Sequence, residues 1–192
     1  FGGQRRRVMA NKKDNNYRSY HGEKFITVEN EEISPPSGKE YSFADILKFS
    51  ICETVLVANV RILGGTENSI DCVRGSDYSI LGCSFFGALQ GGVVAKGAID
   101  GFTLGECHFG SKSKKFDVEL GQYDDYWYPG RPPTRAVTLR NLTTAGARPV
   151  RVMVWDSEMP TVINTSVKIT KVPRLIVLLY FYWRHYTSKL FN

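Results

Sequence analysis

The chain has 192 residues, a net charge of +6, 42% hydrophobic and 12% aromatic residues. That length suits one domain with a real core, and the composition excludes a chain disordered throughout. Residues 1–24 hold seven Lys and Arg against Asp14 and Glu23, which is +5 of the +6. The body is close to neutral, so charge gives no argument for nucleic-acid binding by the whole protein.

The first residue is Phe, so a processed chain or a missing start is expected; no apolar run near it reads as a signal peptide. Residues 1–24 have no hydrophobic period and read as an extended basic arm. Arg5, Arg6, Arg7, Lys12 and Lys13 would anchor it on an acidic partner surface; a solvated tail is the bland reading. Residues 25–54 read as cap and lead-in. Phe25–Val28 suits a short strand, Ser34-Pro35-Pro36-Ser37-Gly38 is a breaker, and 42–49 suits one or two helical turns with Ser42 as N-cap.

The stretch from Val55 onward repeats. Val55-x-Val57-x-x-Val60-x-Ile62 recurs as Tyr78-x-Ile80-x-x-Cys83-x-Phe85 and Phe102-x-Leu104-x-x-Cys107-x-Phe109, in steps of 23 and 24. Shorter strands at 69–73 and 92–95 precede the second and third units, with Val93 and Ala95 expected inward. Val137-x-Leu139-x-x-Leu142 is a fourth unit, and a degraded fifth starts at Val162. The fifth position of each unit (Asn59, Gly82, Glu106, Asn141, Ser166) is expected to be a left-handed corner, with Glu106 out of pattern. This period predicts stacked coils over 55–170, with an insertion at 121–135. Ile80 should stack on Leu104, and Phe85 on Phe109.

Cys52, Cys72, Cys83 and Cys107 show no metal-ligand spacing, so no metal and no cofactor are expected. A ladder of buried thiols is the plain reading; a Cys83–Cys107 disulfide is geometrically conceivable. The insertion, GQYDDYWYPGRPPTR, has Trp127, Tyr126 and Tyr128 beside Asp124 and Asp125. It reads as a protein-contact loop, a sugar platform, or a loop folded over its own coils. In the strand from Val150 to Trp155, Arg151, Met153 and Trp155 should point outward together, a contact signature. Residues 171–192 form a C-terminal capping or interface segment. Its apolar run holds Leu175, Leu178 and Trp183 and is too short for a membrane helix, so no membrane partner is expected.

The repeats NSIDCVRGSDYSILGCSF (68–85) and GVVAKGAIDGFTLGECHF (92–109) resemble the right-handed parallel β-helix, the pectate-lyase-like superfamily. The resemblance implies an all-β solenoid of about five coils, carrying the basic arm and the C-terminal segment. That superfamily holds lyases, glycosidases, phage tailspikes and virion structural proteins, so function must come from the site. The outward column Asp71–Val94–Glu119 lacks a close acid pair, and only Asp117 beside Glu119 offers a catalytic candidate.

The expected function is therefore a non-enzymatic virion component, a capsid decoration or cement protein. It would act through contacts with copies of itself, a trimer as first guess, and with capsid protein. The alternative is a carbohydrate-active domain (polysaccharide lyase or tailspike-like hydrolase) or a sugar-binding module, with polysaccharide as the partner.

Overall fold

The computed structural model describes residues 16–39, 42–110, 115–124 and 127–190. Arg5, Arg6, Arg7, Lys12 and Lys13, and also Asp125 and Tyr126, lie outside these residues. The elements in chain order are β1 (Arg18–His21), β2 (Lys24–Glu29), β3 (Glu32–Ile33), β4 (Asp45–Ala58) and β5 (Arg61–Leu63). They continue with β6 (Asn68–Leu81), β7 (Ser84–Phe86), β8 (Gly91–Gly105), β9 (His108–Phe109) and β10 (Phe116–Gln122). The last are β11 (Arg135–Arg140), β12 (Thr143–Thr144), β13 (Val150–Val154), β14 (Thr161–Ile163), β15 (Val167–Lys171) and the helix α1 (Arg174–Leu190).

All the ladders are parallel. A ten-stranded sheet runs β1-β4-β6-β8-β10-β13-β15, with β2 on β4, and with β11 on β8 followed by β14. A separate five-stranded sheet runs β12-β9-β7-β5-β3. The expected class, an all-β solenoid of about five coils, is corrected by this arrangement. The chain forms two sheets of parallel strands plus a 17-residue helix, an open, α/β-like organisation. The repeat demanded only that equivalent residues sit side by side in parallel register, and the sheets meet that demand. Tyr78 pairs with Phe102, Ile80 with Leu104, and Phe85 with Phe109.

Those registers stack apolar residues on one side. Ile80, Leu104 and Leu139 form one row and Ile70, Val93, Val118 and Val152 another, all fully buried. Each such side chain removes about 1.5–3 kcal/mol worth of apolar surface from water. Left-handed residues fall where four of the five corners were expected: Asn59 (φ 54°), Gly82 (62°), Glu106 (53°) and Asn141 (50°). Glu106 thus keeps the corner despite its side chain. In the last unit the corner moves to Asn164 (φ 46°), and Leu139 pairs with Val162, two residues off the expected alignment. Gly75 has φ 112°, and a Cβ there would overlap the Cys52 carbonyl oxygen, so only glycine fits that close approach.

Two local expectations change. Residues 45–49 open β4 rather than a helix, because Leu47 and Phe49 pair with Ile70 and Cys72 in the sheet. β1 falls inside the stretch read as arm and pairs with β4 at Leu47–Ser50, while the short strand expected at Phe25–Val28 is present as β2. All four cysteines are free and buried.

Candidate functional site

Strand alternation sends every second side chain away from the core. On the outward face of the large sheet, register sets Lys48 beside Asp71, Asp71 beside Val94, Val94 beside Glu119 and Glu119 beside Met153. The next outward column reads Ser50, Val73, Lys96, Gln122. Asp71 is fully buried between two lysines. Lys96 Nζ donates to Asp71 Oδ2 at 3.0 Å, Lys48 Nζ lies 3.7 Å from the same oxygen, and Asp71 Oδ1 has no hydrogen-bond partner. Burial opposes the charge on Lys96, but Asp71 and Asp45 outweigh it and raise its pKa.

Asp45 sits at the edge of this cluster, accepting a 2.9 Å hydrogen bond from Asn68 Nδ2. Burial, then the negative charge of Asp71, pushes the Asp45 carboxyl up to about 7. The unfolded carboxyl titrates near 3.9, so the unfolded chain releases this proton first. The contribution is full below about pH 4 and is lost as pH rises towards 7. Asp45→Asn keeps an oxygen acceptor for Asn68. It is expected to raise the melting temperature at pH 8, to leave it nearly unchanged at pH 4, and to flatten the profile between. An Asn variant that melts lower at pH 8 would contradict this.

Above these columns lies a cavity of about 610 Å³. Its lining includes Lys48, Ser50, Lys96, Glu119 and Gln122 of these columns, together with Glu67, Gln90, Lys115, Tyr123, Asp124, Tyr180 and Arg184. Gln122 Nε2 donates to Glu119 Oε2 at 2.8 Å. Burial raises the Glu119 pKa against the pull of Lys115 and Lys96. Asp117, the other acid of the sequence-derived pair, is not among the lining residues. Arg148 donates to it at 2.5 and 2.9 Å, and the backbone and guanidinium of Arg151 at 2.9 and 3.2 Å. Burial alone would raise its pKa, but these hydrogen bonds lower it. The pair is therefore divided between an ion-paired carboxylate and a cavity acid.

The expected contact residues divide too. Arg151 is engaged with Asp117. Trp127 is 3% exposed, its ring 5.7 Å from Phe181 and 5.1 Å from Tyr182. Trp155 is half-buried, 5.5 Å from Tyr180. The insertion is thus folded back under α1, with Tyr123, Trp127, Val177 and Phe181 as a second small core. A buried ion pair, Arg131 to Asp124 at 2.7 Å, braces it. Met153 is half-buried and Tyr128 exposed.

Leu175, Leu178 and Trp183 remain outward on α1, joined by Ile176, Leu179, Tyr182 and Tyr186. Ile176, Leu179 and Tyr182 lie inside the apolar run from Leu175 to Trp183 expected from the sequence; Tyr186 lies beyond it, although apolar residues at 175, 179, 182 and 186 follow the 4-3-4 spacing of a helical stripe. The Asp45–Asp71–lysine cluster was missed. Only register brings residues 45, 48, 71 and 96 together.

Among the described residues, no helix is long and apolar enough to cross a membrane, and no group of His, Cys, Asp or Glu could hold a metal ion. No protein-family model, no curated protein and no solved structure matches the chain.

Proposed function

We propose that the protein works by contact, as a structural component that packs against copies of itself and against a larger assembly. The observation that carries this is the uncovered side of α1. Seven large apolar or aromatic side chains are exposed there, Leu175 by 70% and Trp183 by 59%. They lie together on one side of the helix, and a contiguous exposed apolar cluster marks a contact site. The setting in a virus or phage particle, as a decoration or cement protein, comes from the sequence resemblance. Sedimentation velocity over a range of concentrations tests the reading: reversible association is expected at micromolar protein. A strictly monomeric protein that turned over a polysaccharide would overturn it.

A second reading is favoured by the polar cavity. Glu119, held by Gln122 among lysines, has the chemistry to bind or protonate a polyhydroxylated ligand. On that reading Glu119→Gln abolishes oligosaccharide binding or turnover while association is intact. On the contact reading Glu119→Gln changes neither association nor any turnover.

A further inference from the structure

We propose that the cavity lined by Lys48, Lys96 and Lys115 is an anion site, and that its ligand is a phosphate monoester of a polyhydroxylated body. This rests on the second reading above and gives the ligand of that site a charge. Two lysines share one carboxylate there. Lys96 Nζ donates to Asp71 Oδ2 at 3.0 Å, and Lys48 Nζ lies 3.7 Å from the same oxygen. At that distance Lys48 has an ion pair but no hydrogen bond, and its ammonium finds no other acceptor among the described residues. The Lys48 side chain keeps only 23% of its surface in water and lines the cavity. A largely buried ammonium with three donors and no acceptor is a ready partner for an oxyanion.

The other charges along the lining leave a cationic surplus. Asp124 is taken up by Arg131, and Asp71 by Lys96. With His21 counted as neutral, Lys48, Lys115 and Arg184 then stand against Glu67 and Glu119. Burial raises the Glu119 pKa, which weakens its repulsion of an anion. The kind of cation favours phosphate. An ammonium is a point charge that serves a tetrahedral oxyanion, whereas a planar carboxylate is matched best by a guanidinium fork. The Arg184 guanidinium is placed 5.5 Å over the Tyr123 ring instead. Ser50 and the Gln122–Glu119 pair supply donors and acceptors for hydroxyl groups. The volume of about 610 Å³ lies within the roughly 300–1,000 Å³ of small-molecule sites.

Isothermal titration calorimetry of the full chain tests this, with glucose 6-phosphate, inorganic phosphate and glucose at matched ionic strength. Glucose 6-phosphate is expected to bind saturably and inorganic phosphate to compete with it. Glucose should bind about tenfold more weakly or worse, the size of one lost hydrogen bond to a charged group. Lys48→Met is expected to weaken glucose 6-phosphate by a similar factor while the melting temperature is kept, because Lys96 still pairs with Asp71. If that variant does not fold, Lys115→Gln, at an exposed position, takes its place. Equal binding of glucose and glucose 6-phosphate would overturn the anion site and leave the second reading standing. Absence of saturable glucose 6-phosphate binding at millimolar concentration, or binding unchanged in Lys48→Met, would overturn it as well. The second reading fails separately, on the Glu119→Gln variant described above.

Discussion

Asp71→Ala is expected to destabilise the protein by about 3 kcal/mol or more, the lower part of the range for breaking a buried ion pair. The carboxylate is fully buried, whereas the Lys48 and Lys96 side chains keep 23% and 19% of their surface in water. Removing the acid leaves two ammonium groups beside each other, with Asp45 as the remaining acid of the cluster. Their partial exposure lets them swing out, which is why the low end applies. The companion variant decides the cause. Replacing all three residues together, Lys48→Met, Asp71→Leu and Lys96→Met, removes the charges with the cavity they fill. Such replacements are commonly neutral or stabilising, so urea denaturation should show the triple variant recovering most of the loss. A triple variant as unstable as Asp71→Ala would mean that shape at position 71, and not uncompensated charge, carries the effect.

Phe181→Ala is expected to detach α1 and leave the sheets folded. A buried Phe→Ala change costs about 3–5 kcal/mol. Phe181 is fully buried, with its ring 5.5 Å from Tyr123 and 5.7 Å from Trp127. The small core it shares with Val177 is separate from the main one. A helix of 17 residues is marginal in water once its docking contacts are lost. The readout is loss of the helical signal at 222 nm and a red shift of tryptophan emission as Trp127 meets water. The main thermal transition should stay within a few degrees of the wild type. A single cooperative transition shifted far down would show instead that α1 and the sheets fold as one unit. Loss of α1 also removes Tyr180 and Arg184 from the cavity wall, so the polar face and the apolar face depend on the same ring contacts.

The sequence by itself determined what repeats. Alternation and a step of 23–24 residues named the inward rows, the pairs Ile80–Leu104 and Phe85–Phe109, and the left-handed corners at Asn59, Gly82, Glu106 and Asn141. These are local signals, since burial on one side of a strand and a positive φ are each written within a few residues. The same signals do not say how the rows close, because any parallel in-register stack satisfies them. The division into two sheets and a helix was therefore decided by the tertiary structure. So was the fate of the aromatic residues: Trp127 and Trp155 look like contact groups in one dimension. Trp127 is covered by α1 because the insertion folds beneath a helix some 50 residues further on, and Trp155 lies against Tyr180 of the same helix. The apolar run from Leu175 to Trp183 gave no strand alternation, and its helical stripe emerges only when Tyr186 is counted with it. The buried cluster of Asp45, Asp71, Lys48 and Lys96 was the least legible. Its members lie on three different strands, and charges far apart in the chain interact only after the ladder sets them side by side.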